Sequence, residues 1–367
     1  VVDDTAWLYR LALTFLTGIG DTLAKILVSY CGSVKEVFSI PLAKLERIPG
    51  IGKERLKRLN REKALQLAEK ELQFIRDYDI TPLFYLDDNY PQRLYHCQDG
   101  PVVLYYKGNV DLNYSRILAI VGTRRMTPYG RQVLTQLIND LTGHDILILS
   151  GLAYGVDIHA HREALRNGLP TVGVLGHSLD RIYPQAHWQT SRKMLEQGGL
   201  LTEFPSGTGP DRENFPRRNR IIAGMADAIL VIESGRKGGA IITADIANSY
   251  NRDVFAVPGD LNRYYSEGCN HLIQTNRAAL FINAENLLKQ LNWQQKSATR
   301  DSQKVLPLDL TEDEKIVLGL LADRQSWPID KLMASSGLTV SLVSSVLLDL
   351  EFKGLVIALP GKQFRLA

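Results

Sequence analysis

Residues 117–124 read Ile117-Leu118-Ala119-Ile120-Val121-Gly122-Thr123-Arg124, five apolar residues running into a small-residue loop with a guanidinium at its mouth. An unbroken apolar run of that length, ended by glycine, predicts a strand covered on both faces. Comparable runs recur at 145–149, 171–175, 199–203, 227–232, 253–257 and 279–282, several of them rich in Val and Ile. Helical patterns lie between them, near 128–142, 156–167, 187–198, 217–225 and 239–250. Regular strand–helix alternation predicts an α/β fold, with right-handed crossovers and an open parallel sheet carrying helices on both faces. Such sheets bind ligands at the carboxyl ends of their strands. That rule sets Gly122–Arg125, Ser150-Gly151, Gly176-His177 and Glu233–Gly239 along one rim.

On the amino-terminal side, the first 80 residues read as helical and contain a short repeat. Leu16-Thr17-Gly18-Ile19-Gly20 is echoed by Ile48-Pro49-Gly50-Ile51-Gly52, each followed by a helical pattern. The two copies resemble helix-hairpin-helix elements, whose turn amides face a DNA phosphate without reading sequence. Lys53, Arg55, Lys57 and Arg58 follow the second turn, while Asp21 and Lys25 follow the first, so the second is the better DNA contact; the alternative is a packing module of tandem hairpins with no DNA role. Residues 78–113 are rich in Tyr, Pro and Asp and predict a connector with short strands packed on the sheet domain. On the carboxyl side, 293–310 is polar and aperiodic and reads as a linker. Helices over 311–322, 328–336 and 339–353, then a hairpin over 355–358 and 363–366 turning at Pro360-Gly361, fit a winged-helix module. The expected division is 1–80, 81–292, the linker 293–310, and 311–367.

A chain of 367 residues with 45% hydrophobic content has ample material for more than one core. Its net charge of +3 leaves any basic surface to local arrangement. Cys31, Cys97 and Cys269 are scattered without metal-ligand spacing and read as reduced thiols. Asp3 and Asp4 stand where a signal peptide would carry basic residues, and no apolar run nears the roughly 20 residues that cross a bilayer. The expectation is a cytoplasmic protein with no membrane partner.

The chemistry-bearing segments point to anion binding. In Gly122-Thr123-Arg124 the glycine lets the backbone approach a ligand, and loop amides with a following helix start favour an anion. Arg124 adds a bidentate phosphate donor; the plainer alternative is a tight turn with a surface arginine. Phe215-Pro216-Arg217-Arg218-Asn219-Arg220 sets three guanidinium groups within four residues at a predicted helix start. Helical spacing puts Arg217 and Arg220 on one face and turns Arg218 elsewhere, with Asn219 beside them. Cations at a helix start oppose its dipole, a cost that a bound anion would relieve. Arg236-Lys237-Gly238-Gly239-Ala240 repeats the pattern after another strand. Tyr183, Phe204 and Phe215 are candidate base-stacking rings, though such rings also serve as loop anchors.

Standard cofactor sites are missing from this pattern. No Gly-x-Gly-x-x-Gly follows the first strand and no Gly-x-x-x-x-Gly-Lys-Ser/Thr occurs. Ser150–Asp157 with His159 and His161 is a dense polar cluster, yet Asp157 and His161 lack a third strong metal ligand and no Gly-x-Ser-x-Gly elbow is present. Capping and hydrogen bonding within the loops account for it better. The expectation is no cofactor, no metal and no catalysis. A nucleotide-processing enzyme of phosphoribohydrolase type is the competing reading, with Glu233 as its only obvious acid. A duplex-binding regulator is another, weakened because 339–353 carries Asp349, Glu351 and only Lys353 as a cation.

Taken together, Ala119–Arg125, Ser150–Asp157, Phe215–Gly224, Gly239–Ala244 and Val257–Asp260 resemble, in order, the motifs of the bacterial DNA-processing protein A family (DprA, or Smf), over roughly 80–290. The resemblance implies an extended Rossmann-like fold that binds single-stranded DNA and forms a homodimer through that domain. It further implies protection of incoming strands during natural transformation and help in loading the recombinase RecA. The implied DNA-binding residues are Gly122, Thr123 and Arg124, the Ser150-Gly151 loop, Arg217, Arg218, Asn219 and Arg220, and Lys237, Gly238, Gly239 and Ala240. Many relatives have Ser-Gly-Ser-Leu in that last loop. Glycine here removes a hydroxyl donor, which Lys237 would offset.

Overall fold

The computed structural model describes residues 4–294, 310–321, 327–359 and 363–366. Its amino-terminal helices are α1 (Asp4–Thr14), α2 (Asp21–Cys31), α3 (Val34–Ser39), α4 (Leu42–Leu45), α5 (Lys53–Arg58) and α6 (Arg61–Asp77). Both Gly-Ile-Gly segments form the same turn. Gly18 and Gly50 take φ of 80° and 85°, a left-handed conformation that glycine alone adopts without strain. Ile19 and Ile51 donate back to the carbonyls of Leu16 and Ile48, and both isoleucine side chains are buried.

Next come β1 (Thr81–Phe84), α7 (Gln92–Tyr95) and β2 (Val103–Gly108), and then the alternating segment: β3 (Ile117–Val121), α8 (Pro128–Asp140), β4 (Leu147–Ser150), α9 (Val156–Arg166) and β5 (Thr171–Val174). It continues through α10 (Trp188–Glu196), β6 (Gly198–Thr202), α11 (Asn214–Met225), β7 (Ala228–Val231), α12 (Gly239–Ser249), β8 (Asp253–Ala256), α13 (Tyr264–Gln274), β9 (Ala279–Leu280) and α14 (Ala284–Gln290). The nine strands make one sheet, in the order β1-β2-β6-β5-β4-β3-β7-β8-β9. Pairing from β6 to β9 is parallel, as the alternation predicts. The two strands of the 78–113 connector extend the sheet antiparallel at its β6 edge.

The unbroken apolar reading of 117–121 is explained by two cores. Ile117, Ala119 and Val121 face one core shared with the amino-terminal helices, while Leu118 and Ile120 face another with α8, α9 and α14. Ile229 and Val231 of β7 divide from Ala228 and Leu230 in the same way. Helix α8 starts where Thr127 accepts a bond from the Gly130 amide and Pro128 occupies the first turn, the usual place for proline. Helix α11 begins at Asn214, three residues before its expected start, because Pro216 falls in the first turn and breaks no intrahelical bond. Helices α13 and α14 were not foreseen in the sequence. Gly268 interrupts the first, and a Cβ there would lie 2.6 Å from the Ser234 carbonyl, so close packing outweighs its poor helix propensity.

Residues 1–295 form one compact unit and 296–367 another. In the second, α15 (Glu312–Leu320), β10 (Trp327–Pro328), α16 (Ile329–Ser336), α17 (Val340–Phe352), β11 (Val356–Leu359) and β12 (Gln363–Leu366) form a winged helix. Thr311 and Glu314 close a capping box at the start of α15. The sheet there has a third strand, β10, beyond the expected hairpin. Most of the expected linker (295–309) and the Pro360-Gly361 turn lie outside the described residues. No single helix among the described residues is long and apolar enough to cross a membrane.

Candidate nucleic-acid interface

Strand β3 is where the sheet order reverses. Its successors β4, β5 and β6 run to one side, and β7, β8 and β9 to the other. The crevice beyond such a reversal is where open α/β sheets take ligands. The Gly122-Thr123-Arg124 loop sits in it. The Thr123 amide donates to the Glu233 carbonyl at 2.7 Å, joining the loops after β3 and β7, and the Thr123 carbonyl accepts from the Val156 amide at the start of α9. Gly122 has no room for a side chain, since a Cβ would fall 2.5 Å from Val156. Arg124 projects from this clamped loop, exposed, with its guanidinium 5.5 Å from the centre of the Phe215 ring. It has no acidic partner among the described residues.

Beside Arg124 lies a shallow pocket, about 370 Å³ including space open to solvent, at the ends of β3, β4 and β5, lined by Tyr154, His177, Tyr183, Phe215 and Arg218 among others. Tyr154 and Tyr183 are about half exposed, and Tyr183 stands 6.2 Å from Phe215 between ring centres. Arg218, which helical spacing seemed to turn away, is the arginine of its segment that reaches this pocket. It is only 5% exposed; it donates to the Val174 carbonyl, and its Nε bonds Asn219. Gly151 stands between the Arg218 guanidinium and the Asp157 carboxylate, and a Cβ at that position would overlap both. Burial raises the pKa of Asp157, while Arg218, the Ala153 amide and Arg124 oppose the rise.

The structure does not bring every expected residue to this pocket. Arg220 is held by Glu203 at 2.5 Å and Asp21 at 3.1 Å, and it also donates to the Asp99 carbonyl. Arg217 is exposed, lies over Phe204 at 5.2 Å and approaches Glu203 at 3.4 Å. Phe204 itself is buried and anchors its loop, so it offers no open stacking face. The Ser150 hydroxyl is fully buried and donates to the Ile120 carbonyl. Lys237 to Ala240 stand on the other flank of the Gly122–Arg124 loop, after β7. There Gly238 caps α12 with no side chain; the Ile241 amide turns back to the Gly238 carbonyl, and no side chain caps the Gly239 and Ala240 amides beside an exposed Lys237.

Groups suited to catalysis are otherwise engaged. The Glu233 carboxylate accepts from the amide and hydroxyl of Thr127, capping α8 from inside the fold. His161 is buried between Thr171 and the Gly151 carbonyl, and burial lowers its pKa to about 4. His159 meets Thr135 at 3.0 Å. The polar cluster around 150–161 therefore supports the loops, as its hydrogen-bonding pattern suggested. No group of His, Cys, Asp and Glu among the described residues is arranged to hold a metal, and the three cysteines are unpaired. Tyr154 was missed as a candidate ring because its apparent role was one residue in a polar run. Its signal is its place directly after the β4 end, in the same rim as Arg124.

The first hairpin turn is tied to this region. Asp21, directly after it, accepts from the Val102 amide at 2.9 Å and from Arg220. Farther back, Glu71 of α6 accepts from the amide and hydroxyl of Ser206, in the loop that follows β6. The amino-terminal helices thus brace the segment that carries Arg217 to Arg220.

Comparison with known proteins agrees with this architecture. The model of the DNA recombination-mediator protein A family matches residues 81–292, that of the DprA winged-helix domain 302–362, and that of the SAM-like tandem helix-hairpin-helix 11–62. Protein Smf of Synechocystis is 32% identical over 97% of this chain and 98% of its own length. The crystal structure of DNA processing protein A from Streptococcus pneumoniae superposes with a TM-score of 0.66 at 31% identity, covering 79% of this chain and 98% of that one. The Helicobacter pylori protein, whose structure describes a single-stranded DNA binding mode, gives 0.53 at 30% identity over 58% of this chain and 95% of that one. The chain belongs to the DNA recombination-mediator protein A family.

Proposed function

We propose that this protein binds single-stranded DNA across the carboxyl ends of its central strands and acts as a non-catalytic recombination mediator. The observation that carries the reading is Arg124: an exposed guanidinium without an acidic partner, on a doubly clamped loop, facing a pocket walled by Tyr154, Tyr183, Phe215 and Arg218. A single strand offers what that surface lacks, namely phosphates for the arginine and ring faces for the tyrosines. Lys237 and the Gly239 and Ala240 amides extend the cradle on the other flank, and the exposed Arg217 adds a cation beside Glu203. The binding mode described for the Helicobacter pylori relative supports the same assignment.

In this reading 81–292 is the binding domain, 1–80 a bracing helix-hairpin-helix module, 293–310 a linker and 311–367 a winged helix. The further roles we infer are those the family resemblance implies: a cytoplasmic homodimer joined through the sheet domain, protecting strands taken up in transformation and handing them to RecA. The winged helix suits protein contact, because Lys353 at the end of α17 is paired with Glu314 at 2.6 Å and the helix carries no other cation. Against a phosphoribohydrolase stands Glu233, whose carboxylate is committed to Thr127.

The test is direct titration of labelled single-stranded and duplex oligonucleotides, alongside incubation with nucleoside monophosphates. Single-strand preference without release of free base is expected. Base release, or equal affinity for duplex, would overturn the reading.

A further inference from the structure

A second cleft, of about 850 Å³ including space open to solvent, lies past the Gly122–Arg124 loop at the ends of β7 and β8. Tyr129, Gly259, Asp260, Arg263 and Tyr264 line it, with Glu233 at the side of Thr127. Tyr264 is 63% exposed, a large ring to leave in water, and Leu261 beside it is 85% exposed. One edge of the ring is seated on Gly235, where a Cβ would lie 2.8 Å away. The Tyr265 carbonyl accepts from the Ser234 amide, so the start of α13 and the Lys237 loop are held as one piece. Across the cleft Tyr129 is 41% exposed, and its hydroxyl donates to the Pro258 carbonyl, which fixes the ring.

Inside the cleft Asp260 is paired with Arg263 at 2.7 Å and Glu233 is bonded to Thr127, so its lining favours an uncharged ring, and the cations that suit phosphates flank it. Arg125 and Lys237 stand exposed between this cleft and the Arg124 pocket, without acidic partners among the described residues. Strands β5, β4, β3, β7 and β8 are consecutive neighbours, so the centres of the two clefts lie about 10–15 Å apart along the rim. That span is within reach of one extended strand.

We propose that the Tyr129–Tyr264 cleft is a second base-stacking subsite, which takes a nucleobase farther along the same single strand that occupies the Arg124 pocket. It rests on the single-strand reading above. Stacking on a tyrosine face is tolerant of base identity, so the subsite adds affinity with length and little sequence preference.

The experiment measures affinity of the full chain, wild type and Tyr264→Ala, for oligothymidylates from a few to about 16 nucleotides long. Wild-type affinity is expected to step up once the strand is long enough to reach the cleft. Tyr264→Ala is expected to remove that step, a loss of about tenfold for long strands, while short strands bind as to wild type. Tyr264→Trp should restore the step. An equal loss at every length would overturn the proposal, because Tyr264 would then act only by supporting the Lys237 loop. No loss at any length, or a wild type without a step, would overturn it too. Failure of the wild type to bind any strand would instead bring down the single-strand reading and this subsite with it.

Discussion

At the residue scale, the interface turns on a few positions whose geometry leaves little freedom. The exposed Arg124 guanidinium lies over the Phe215 ring, makes no ion pair among the described residues and acts on Asp157 only through its charge. Arg124→Ala is therefore expected to weaken single-strand binding by roughly tenfold or more, as loss of a charged contact worth ~1.5–3 kcal/mol does, with an unchanged melting temperature. Anisotropy and thermal denaturation of the same samples check both halves; a drop in stability would mean the residue has a structural duty. Gly151 behaves oppositely. A Cβ there would overlap the Arg218 and Asp157 side chains, so Gly151→Ala is expected to destabilise by ~1–3 kcal/mol and to lose strand binding as well. Urea denaturation reads the first effect. The difference between these two residues was partly visible beforehand: Arg124 and Gly151 both stood out at strand ends, but the depth of Arg218 did not. Helical spacing reports which residues share a face, not which face the rest of the chain covers.

At the scale of elements, α11 and the loop before it carry both a proposed binding segment and a buried charge cluster. Glu203 is buried with one oxygen unpartnered, and burial raises its pKa to about 7 despite Arg220 and Arg217. Between pH about 4.5 and about 7 the folded protein keeps a proton here that the unfolded chain has released. This site's contribution to stability therefore falls as pH rises through that window. Glu203→Gln mimics the protonated form, so it should flatten that part of the pH–stability curve. Denaturation across pH checks this; an unaltered slope would show that the ion pairs with Arg220 and Arg217 cancel the effect of burial. The strands were legible because two-sided burial writes itself as consecutive apolar residues, as in 117–121. Helix α13 was not, because Gly268 within it answers to a tight contact with the Ser234 carbonyl, a partner distant in sequence.

For the molecule as a whole, the amino-terminal helices and the sheet work as one body. Asp21 joins the first hairpin turn to the sheet domain through the Val102 amide and Arg220. Asp21→Ala leaves the Val102 amide without its acceptor and Arg220 with Glu203 alone as its acid, and is expected to cost roughly 1–3 kcal/mol. Faster hydrogen exchange in α2 and around Val102 would accompany the loss. Equal exchange in the variant would mean the helical module is held by apolar contacts alone. Nothing in the first hairpin's sequence distinguishes docking from DNA contact except the acid at 21, and that acid proves to be the docking residue.

Proposed contact of Arg124 with single-strand phosphates at the switch point is tested by the salt dependence of single-strand affinity for wild type and Arg124→Ala. Log affinity is expected to fall linearly with log salt in the wild type, with a slope smaller by about one in the variant. A wild-type affinity indifferent to salt, or identical slopes in the two proteins, would contradict it.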